Sequence, residues 1–360
     1  MLENIRNKKV FITGHTGFKG IWLSLLLKEL GAKIYGYALA PVNNPIYNDI
    51  ESTVFENSCY ADIRDGVKLK ASVLSAMPDI IFHLAAQPLV IDSYADPSYT
   101  FDVNVMGTTQ LLDALRDYPK NCAVIVITTD KVYENNEWVY PYRENDRLGG
   151  HDPYSASKAC AELVIQSFRK SFFAAQKSNK NSVALASVRA GNVIGGGDWS
   201  ANRIIPDIIR AFHAGSVLEV RNPMAVRPWQ HVLDALYGYL ILTERLVTDN
   251  TNPLWSSAWN FGPVSTDNLS VGEITTMATK EWEGGQYVYK QTEKDAIHEA
   301  GLLRLDCSRA QQLLSWNPVW NAPLAIATTI DWYKKVLLHN QRPSLVALEQ
   351  IRQFLSEVKA

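Results

Sequence analysis

The sequence predicts an α/β chain whose main body is a doubly wound parallel sheet, with a smaller domain interleaved toward the C-terminus. Three observations predict it: short apolar runs that recur between helical stretches, a glycine-rich loop directly after the first run, and a change of rhythm past Arg189.

The apolar runs are KVFITG (9–14), KIYGYAL (33–39), DIIFHLAA (79–86), AVIVITT (123–129) and VALASVR (183–189). They are rich in β-branched residues and apolar at nearly every position, as strands are when helices cover both faces of a parallel sheet. Between them, stretches at 18–30, 65–76, 97–117 and 153–174 carry apolar residues three and four apart, the period of a helix. Past Arg189, glycine and proline crowd AGNVIGGGDW and RNPMAVRPW, DALYGYLILTERL reads as a helix and WNFGP as a strand. The domain boundary is therefore not a single linker. Residues 1–189, with return segments near 227–263, are expected to form the dinucleotide-binding domain, and 190–226 with 264–360 the second domain. The tail from about 336 reads as a surface helix.

Bulk properties narrow the function. With 360 residues, 47% of them hydrophobic, the chain can bury a large core. A formal net charge of −2 with scattered Lys and Arg leaves no basic face for nucleic acid or anionic lipid. No apolar run approaches the ~20 residues of a membrane span. The opening MLENIRNKKVFITG has charges where a secretory segment needs apolar residues, so the expected location is cytoplasmic. Cys59, Cys122, Cys160 and Cys307 lie far apart with no C-x-x-C pair, and read as small core residues with no metal site.

In GHTGFKG, Gly14, Gly17 and Gly20 follow the first strand at three-residue intervals, and IWLSLLLKELG continues as a helix. Such glycines permit a sharp turn, backbone approach to a pyrophosphate and close packing of helix on strand, which makes the sheet Rossmann-type. His15 falls where a side chain would take space near the phosphates; a protonated imidazole could donate to them, and a solvent-edge loop position is the plainer expectation. The second strand ends in YALAPVNN, without the acidic side chain that commonly holds the adenosine 2′-hydroxyl. No arginine stands there for a 2′-phosphate, so NAD is the expected cofactor. Asn43 or Asn44 could substitute for the acid, and each reads equally well as a turn residue.

Tyr154 and Lys158, in YSASK, project from one face of a helix. An ammonium beside a phenol would lower its pKa from about 10 toward the working pH and make it a base for a sugar hydroxyl. Thr129 ends the strand before this helix, where its hydroxyl could bind the same substrate oxygen.

Glycine loop, Thr129 and YSASK in this order resemble the extended branch of the short-chain dehydrogenase/reductase family, and the likeness extends to about residue 320. DIRD (62–65), FHLAAQ (82–87), NVMGTTQLL (104–112), RAGNVIGGGD (189–198), NRIIPDIIRA (202–211), RPWQHVLDAL (227–236) and LDCSRAQQLLSWNP (305–318) carry it. The resemblance implies that the loop residues Gly14, His15, Gly17, Phe18 and Gly20 face the cofactor. It assigns Asp62 and Ile63 to the adenine, Leu84, Ala85 and Ala86 to the cofactor wall, and Asn104 to ordering that side. Tyr154 and Lys158 serve cofactor and chemistry together. Asn192, Arg203 and Arg227 are implied to hold the diphosphate of a sugar nucleotide, and the planar guanidinium forks suit phosphate oxygens. A surface ion pair is the plain alternative for Arg203. The family also implies a homodimer, with helices near 100–117 and 153–174 forming a four-helix bundle, and a product that is a precursor of deoxyhexoses in surface polysaccharide.

Within this branch, Thr-Asp-Glu after the fifth strand resembles the nucleotide-sugar 4,6-dehydratases; here the triplet is Thr129, Asp130, Lys131. The implied chemistry has Tyr154 take the 4-hydroxyl proton as C4 is oxidised, and Asp130 protonate the departing 6-hydroxyl after loss of the C5 proton. Asp130 must then titrate well above about 3.9. Lys131 stands where the C5 base is expected. It is either neutral and the base, or charged and a stabiliser of the enolate oxygen, or a solvent-facing loop residue. Glu134 stands where relatives have glycine and inherits no role. A 4-epimerase would need the same Tyr, Lys and Thr but no acid–base pair after Thr129, and a non-catalytic dinucleotide sensor would need none of them.

The missing acidic ribose contact predicts that NAD is held weakly. Calorimetric titration of the purified apoprotein should give a dissociation constant that is micromolar or weaker, and a submicromolar value would contradict this.

Overall fold

The apolar runs form buried parallel strands, each returned by a helix. The structure, a computed structural model, describes residues 2–42, 44–173, 182–264, 267–290 and 301–359. Along the chain run β1 (Lys9–Thr13), α1 (Phe18–Glu29), β2 (Lys33–Ala38), α2 (Pro45–Val54), β3 (Phe55–Tyr60), α3 (Gly66–Ala76), β4 (Ile80–His83), α4 (Val90–Ala95), α5 (Pro97–Phe101), α6 (Gly107–Ala114), β5 (Cys122–Ile127), α7 (Pro153–Ser171) and β6 (Val183–Ala190). There follow β7 (Asn192–Ile194), α8 (Ile204–His213), β8 (Val217–Val220), β9 (Val226–His231), α9 (Val232–Thr248), β10 (Ala258–Phe261), β11 (Asn268–Ser270), α10 (Val271–Trp282), β12 (Gln286–Tyr289), α11 (Ser308–Leu314), α12 (Ala322–Leu337) and α13 (Pro343–Lys359).

Among the described residues the main sheet has seven strands in the order β10-β6-β5-β4-β1-β2-β3. Every neighbouring pair is parallel. Strand order reverses between β1 and β4, and a crevice opens at such a switch point beyond the carboxyl ends of the strands. Two cores flank the sheet. Along β1, Val10 and Ile12 enter one and Phe11 the other, the alternation that a pleated strand imposes. β5 is buried at every position because it lies centrally. Helix α9, buried around most of its circumference, backs β5 and β6. A three-stranded sheet, β11-β9-β7, and a two-stranded one, β12-β8, form the second layer over the crevice. Among the described residues no helix is long and apolar enough to cross a membrane.

Caps set the helices that carry the site. Asp152 accepts a hydrogen bond from the Ser155 N–H at 2.9 Å, and Pro153 opens the first turn of α7. That start places Tyr154 and Lys158 one turn apart on a buried face.

Two elements differ from the sequence expectation. β3 carries no clear apolar run, since it is the sheet edge and is half-exposed or exposed along its length. The tail is also more than a surface helix. Val346, Ala347, Ile351 and Phe354 of α13 are buried, and the helix packs on α1, α2 and α12.

Asp234, in the first turn of α9, is fully buried and accepts from the Val319 N–H at 2.6 Å and the Trp320 N–H at 3.4 Å. Burial pushes its carboxyl up to about 7, against those two hydrogen bonds. The unfolded chain releases this proton near pH ~4, so between about pH 4 and 7 the folded state holds a proton that the unfolded state has lost. This contribution is complete at the acid end and declines as pH rises through the window, by at most about 1.4 kcal/mol per unit. Asp234→Asn should flatten the slope of unfolding free energy against pH in urea titrations across that range; an unchanged slope would rule Asp234 out as its source.

Candidate active site

The crevice at the switch point is a cavity of about 700 Å³ that runs from the glycine loop to the second layer. Its floor depends on Gly14 and Gly20. Gly14 has φ +75°, and a Cβ there would lie 2.7 Å from the Ala85 nitrogen; a Cβ on Gly20 would lie 2.2 Å from the Gly14 carbonyl oxygen. Main chain blocks both positions, so a side chain at either would push the loop out of place. Gly17 is exposed, caps α1 and lines the cavity, so the unpaired N–H groups that open α1 face it. These features fit a dinucleotide diphosphate.

Phe18, Leu84, Ala85, Ala86, Asp62 and Ile63 line the same cavity. The guanidinium of Arg64 grips the Asp62 carboxylate at 2.8 to 3.1 Å and lowers its pKa. Asn104 does not reach the cavity wall. It is buried, accepts from the Gln87 N–H at 2.9 Å and donates to Ser157 Oγ at 2.9 Å, which ties the loop after β4 to α7. Asn44 caps α2 through the Ile46 and Tyr47 N–H groups; Asn43 lies outside the described residues.

His15 corrects both sequence expectations. Its ring points away from the cavity, is fully buried, and lies 2.5 Å from Ser58 Oγ and 3.1 Å from the Tyr47 hydroxyl. Gly36 of β2 leaves the room, since a Cβ there would come within 2.4 Å of the imidazole. Burial lowers its pKa to about 4, so at neutral pH it is uncharged and offers the phosphates no cation.

The catalytic candidates converge on the other half of the cavity, where Thr129, Asp130, Lys131, Tyr154 and Lys158 all line the wall. β5 ends in a tight turn, Asp130–Val132, capped by the Thr129 side chain, whose hydroxyl donates to Asp130 Oδ1 at 2.9 Å. Asp130 is 2% exposed and its Oδ2 has no partner among the described residues. Burial raises its pKa, outweighing Lys131, the Thr129 hydrogen bond, Arg227 and Lys19. The carboxyl is thus disposed to carry a proton. Lys131 is half-buried in the cleft wall and not on the outer face of a loop, while Glu134 pairs with Arg147 at 3.2 Å outside it.

The expected acidification of the phenol is absent. Burial raises Tyr154 to about 12, with the Thr129 hydrogen bond and Arg203 pulling it down. Lys158 donates instead to the Ile127 carbonyl at 3.3 Å, and burial lowers it to about 8 against the pull of Glu162. Desolvation outweighs the pairwise attraction that residue spacing suggests.

Asn192, Arg203 and Arg227 line the cleft from the second layer. Arg203 pairs with Asp198 at 2.9 Å, so both expectations for it meet in one residue. Arg227 is 8% exposed and donates to the Val226 carbonyl at 3.0 Å.

A family model described as GDP-mannose 4,6 dehydratase matches residues 11–329. The chain belongs to this family. A CDP-glucose 4,6-dehydratase from Salmonella typhimurium is 46% identical over 330 residues, 91% of each chain. A UDP-glucose 4-epimerase from Mycoplasma pneumoniae is 26% identical, over 73% of this chain and 78% of the relative. Among solved structures, the epimerase Mth375 from Methanothermobacter thermautotrophicus superposes with a TM-score of 0.79 at 20% identity, over 98% of this chain and 96% of that one. The dTDP-glucose 4,6-dehydratase DesIV from Streptomyces venezuelae, with NAD and TYD bound, gives 0.74 at 21% identity, over 91% and 97%.

Within the family frame, one cleft residue escaped the sequence analysis. Lys19 lines the cavity from the first turn of α1. A signal was present: a lysine in the first turn of a helix opposes the macrodipole, and so calls for a compensating role.

Proposed function

We propose that this protein is a CDP-glucose 4,6-dehydratase that uses NAD. The observation that carries this is the run Thr129, Asp130, Lys131, set in the cleft wall opposite the glycine loop with Tyr154. The 46% identity to the Salmonella relative supports CDP-glucose as substrate, and the Thr-Asp-Lys triplet with GHTGFKGIWL resembles that enzyme too. An epimerase has no use for a buried acid at Asp130 whose pKa burial raises.

NAD, held against the loop, would supply an acceptor that takes the C4 hydride and returns it to C6, so the net change is loss of water. Asn192, Arg203 and Arg227 hold the diphosphate, leaving the hexose between β5 and α7. Tyr154 accepts the 4-hydroxyl proton as C4 becomes a ketone, helped by the Thr129 hydroxyl, which also binds that oxygen. The 4-ketone acidifies C5–H. Lys131 takes the C5 proton in its neutral form, and Asp130 gives its proton to the 6-hydroxyl, which leaves as water. The same proton acceptor then returns a proton to C5, and the product is CDP-4-keto-6-deoxyglucose. Burial raises the Asp130 pKa, which favours the protonated form that a proton donor needs.

The protein acts in the cytoplasm as a homodimer. Leu163 and Phe172, along α7 and at its end, and Met106, just before α6, are 55%, 47% and 45% exposed, which favours burial in a four-helix bundle with a second copy.

Turnover of CDP-glucose is read from the alkali-induced absorbance of a 4-keto-6-deoxy sugar. Lys131→Met should lower this rate roughly 10²- to 10⁴-fold and abolish solvent hydrogen exchange at C5 while C4 oxidation, read as reduced nicotinamide, persists. Loss of both steps would place Lys131 in cofactor binding or C4 oxidation and contradict the base role, and unimpaired turnover would remove it from the mechanism.

A further inference from the structure

Lys19 places a cation where three features disfavour one. It sits at the positive end of the α1 macrodipole, it is desolvated, and Arg203 and Lys158 both repel it. Only Asp130 attracts it, and burial holds that carboxyl toward its neutral form. Among the described residues nothing takes a hydrogen bond or ion pair from the Lys19 ammonium, whereas Arg203 shares its charge with Asp198 at 2.9 Å. A cation with no ion-pair partner of its own, set in a cleft beside a second cation, forms a site for a multivalent anion.

We propose that Lys19 binds the diphosphate of the nucleotide-sugar substrate together with Arg203. This rests on the nucleotide-sugar reading of the site. The main-chain N–H groups that open α1, from Phe18 onward, suit the cofactor's own diphosphate. Arg203 stands across the cleft at the start of α8, and the charges acting on Lys19 are those of Arg203, Asp130 and Lys158, none of them on the glycine loop. Lys19 thus links the cofactor floor to the substrate wall and draws the sugar toward Asp130. A bound phosphate also restores proton affinity to an ammonium that burial and Arg203 lower to about 8, so binding near that pH takes up protons.

Calorimetric titration of the full chain with CDP, cytidine and NAD tests this. Lys19→Met should weaken CDP roughly ten- to a hundredfold, leave cytidine and NAD unchanged, and reduce the proton uptake that accompanies CDP binding near pH ~8. Lys19→Arg should restore most of the CDP affinity. Retained NAD binding certifies that the variant is folded. Unchanged CDP affinity would overturn the proposal, and so would a loss equal for CDP and NAD or confined to NAD, which would place Lys19 on the cofactor. A wild-type protein that binds UDP or GDP but not CDP would refute only the choice of nucleotide, and the lysine is then judged with the nucleotide that binds. Failure to bind any nucleoside diphosphate would sink the substrate reading and this proposal with it.

Discussion

A buried ion pair holds the two halves of the catalytic wall in register. Arg189 on β6 meets Glu162 on α7 through two nitrogens, at 2.9 and 3.0 Å, with both side chains under 5% exposed. Thr128, at the end of β5, donates to the same carboxylate at 2.6 Å, and Ser187 does so at 2.8 Å. Burial alone would raise the Glu162 carboxyl, but Arg189 and these hydroxyls lower it. Removing one partner of such a pair leaves an uncompensated charge and costs about 3–5 kcal/mol. Thr128 precedes Thr129, and Glu162 lies one turn beyond Lys158, so the pair sets the distance between the β5 turn and the catalytic face of α7. Arg189 reaches further, donating to the Tyr133 hydroxyl at 2.9 Å, which donates to Asn260 at 2.7 Å. Asn260 then binds the Tyr142 and Asp306 carbonyls. One network thus joins the sheet, the loop after β5 and the C-terminal third.

In front of that network, desolvation decides protonation. It favours the neutral form of Asp130, Tyr154, Lys158 and Lys19 alike. For Asp130 the neutral form is the one that donates in the proposed reaction. In the same reaction Tyr154 acts in its charged form, which Arg203 and the neighbouring Thr129 hydroxyl both favour. A dry cleft strengthens each of these interactions, and leaves the lysines near the boundary between proton donor and acceptor.

Central features were legible because their causes are local. An unbroken apolar run such as CAVIVI calls for a strand covered on both faces, and Gly14 and Gly20 advertise a loop with no room for side chains. The triplet after β5 and the Tyr-x-x-x-Lys spacing identified groups that the structure gathers around one cavity. What escaped depends on partners far along the chain. The His15 ring turns inward because Gly36 of the neighbouring strand and the hydroxyls of Tyr47 and Ser58 accommodate it. β3 lacks an apolar signature because a sheet edge needs none. The burial of α13 requires a groove made by α1, α2 and α12, which no local pattern reveals. The balance of charge and burial at Tyr154 is likewise invisible to residue spacing, since spacing gives proximity but not solvent access.

In the proposed reaction the groups on β5, α7 and the glycine loop act on a single hexose without releasing it between oxidation and reduction. Turnover of CDP-glucose deuterated at C4, with the product analysed by NMR, tests it directly. The predicted result is deuterium at C6 of the 4-keto-6-deoxy sugar, with a single solvent hydrogen at C5. Deuterium retained at C4 of an epimerised hexose, or lost to solvent, would contradict it.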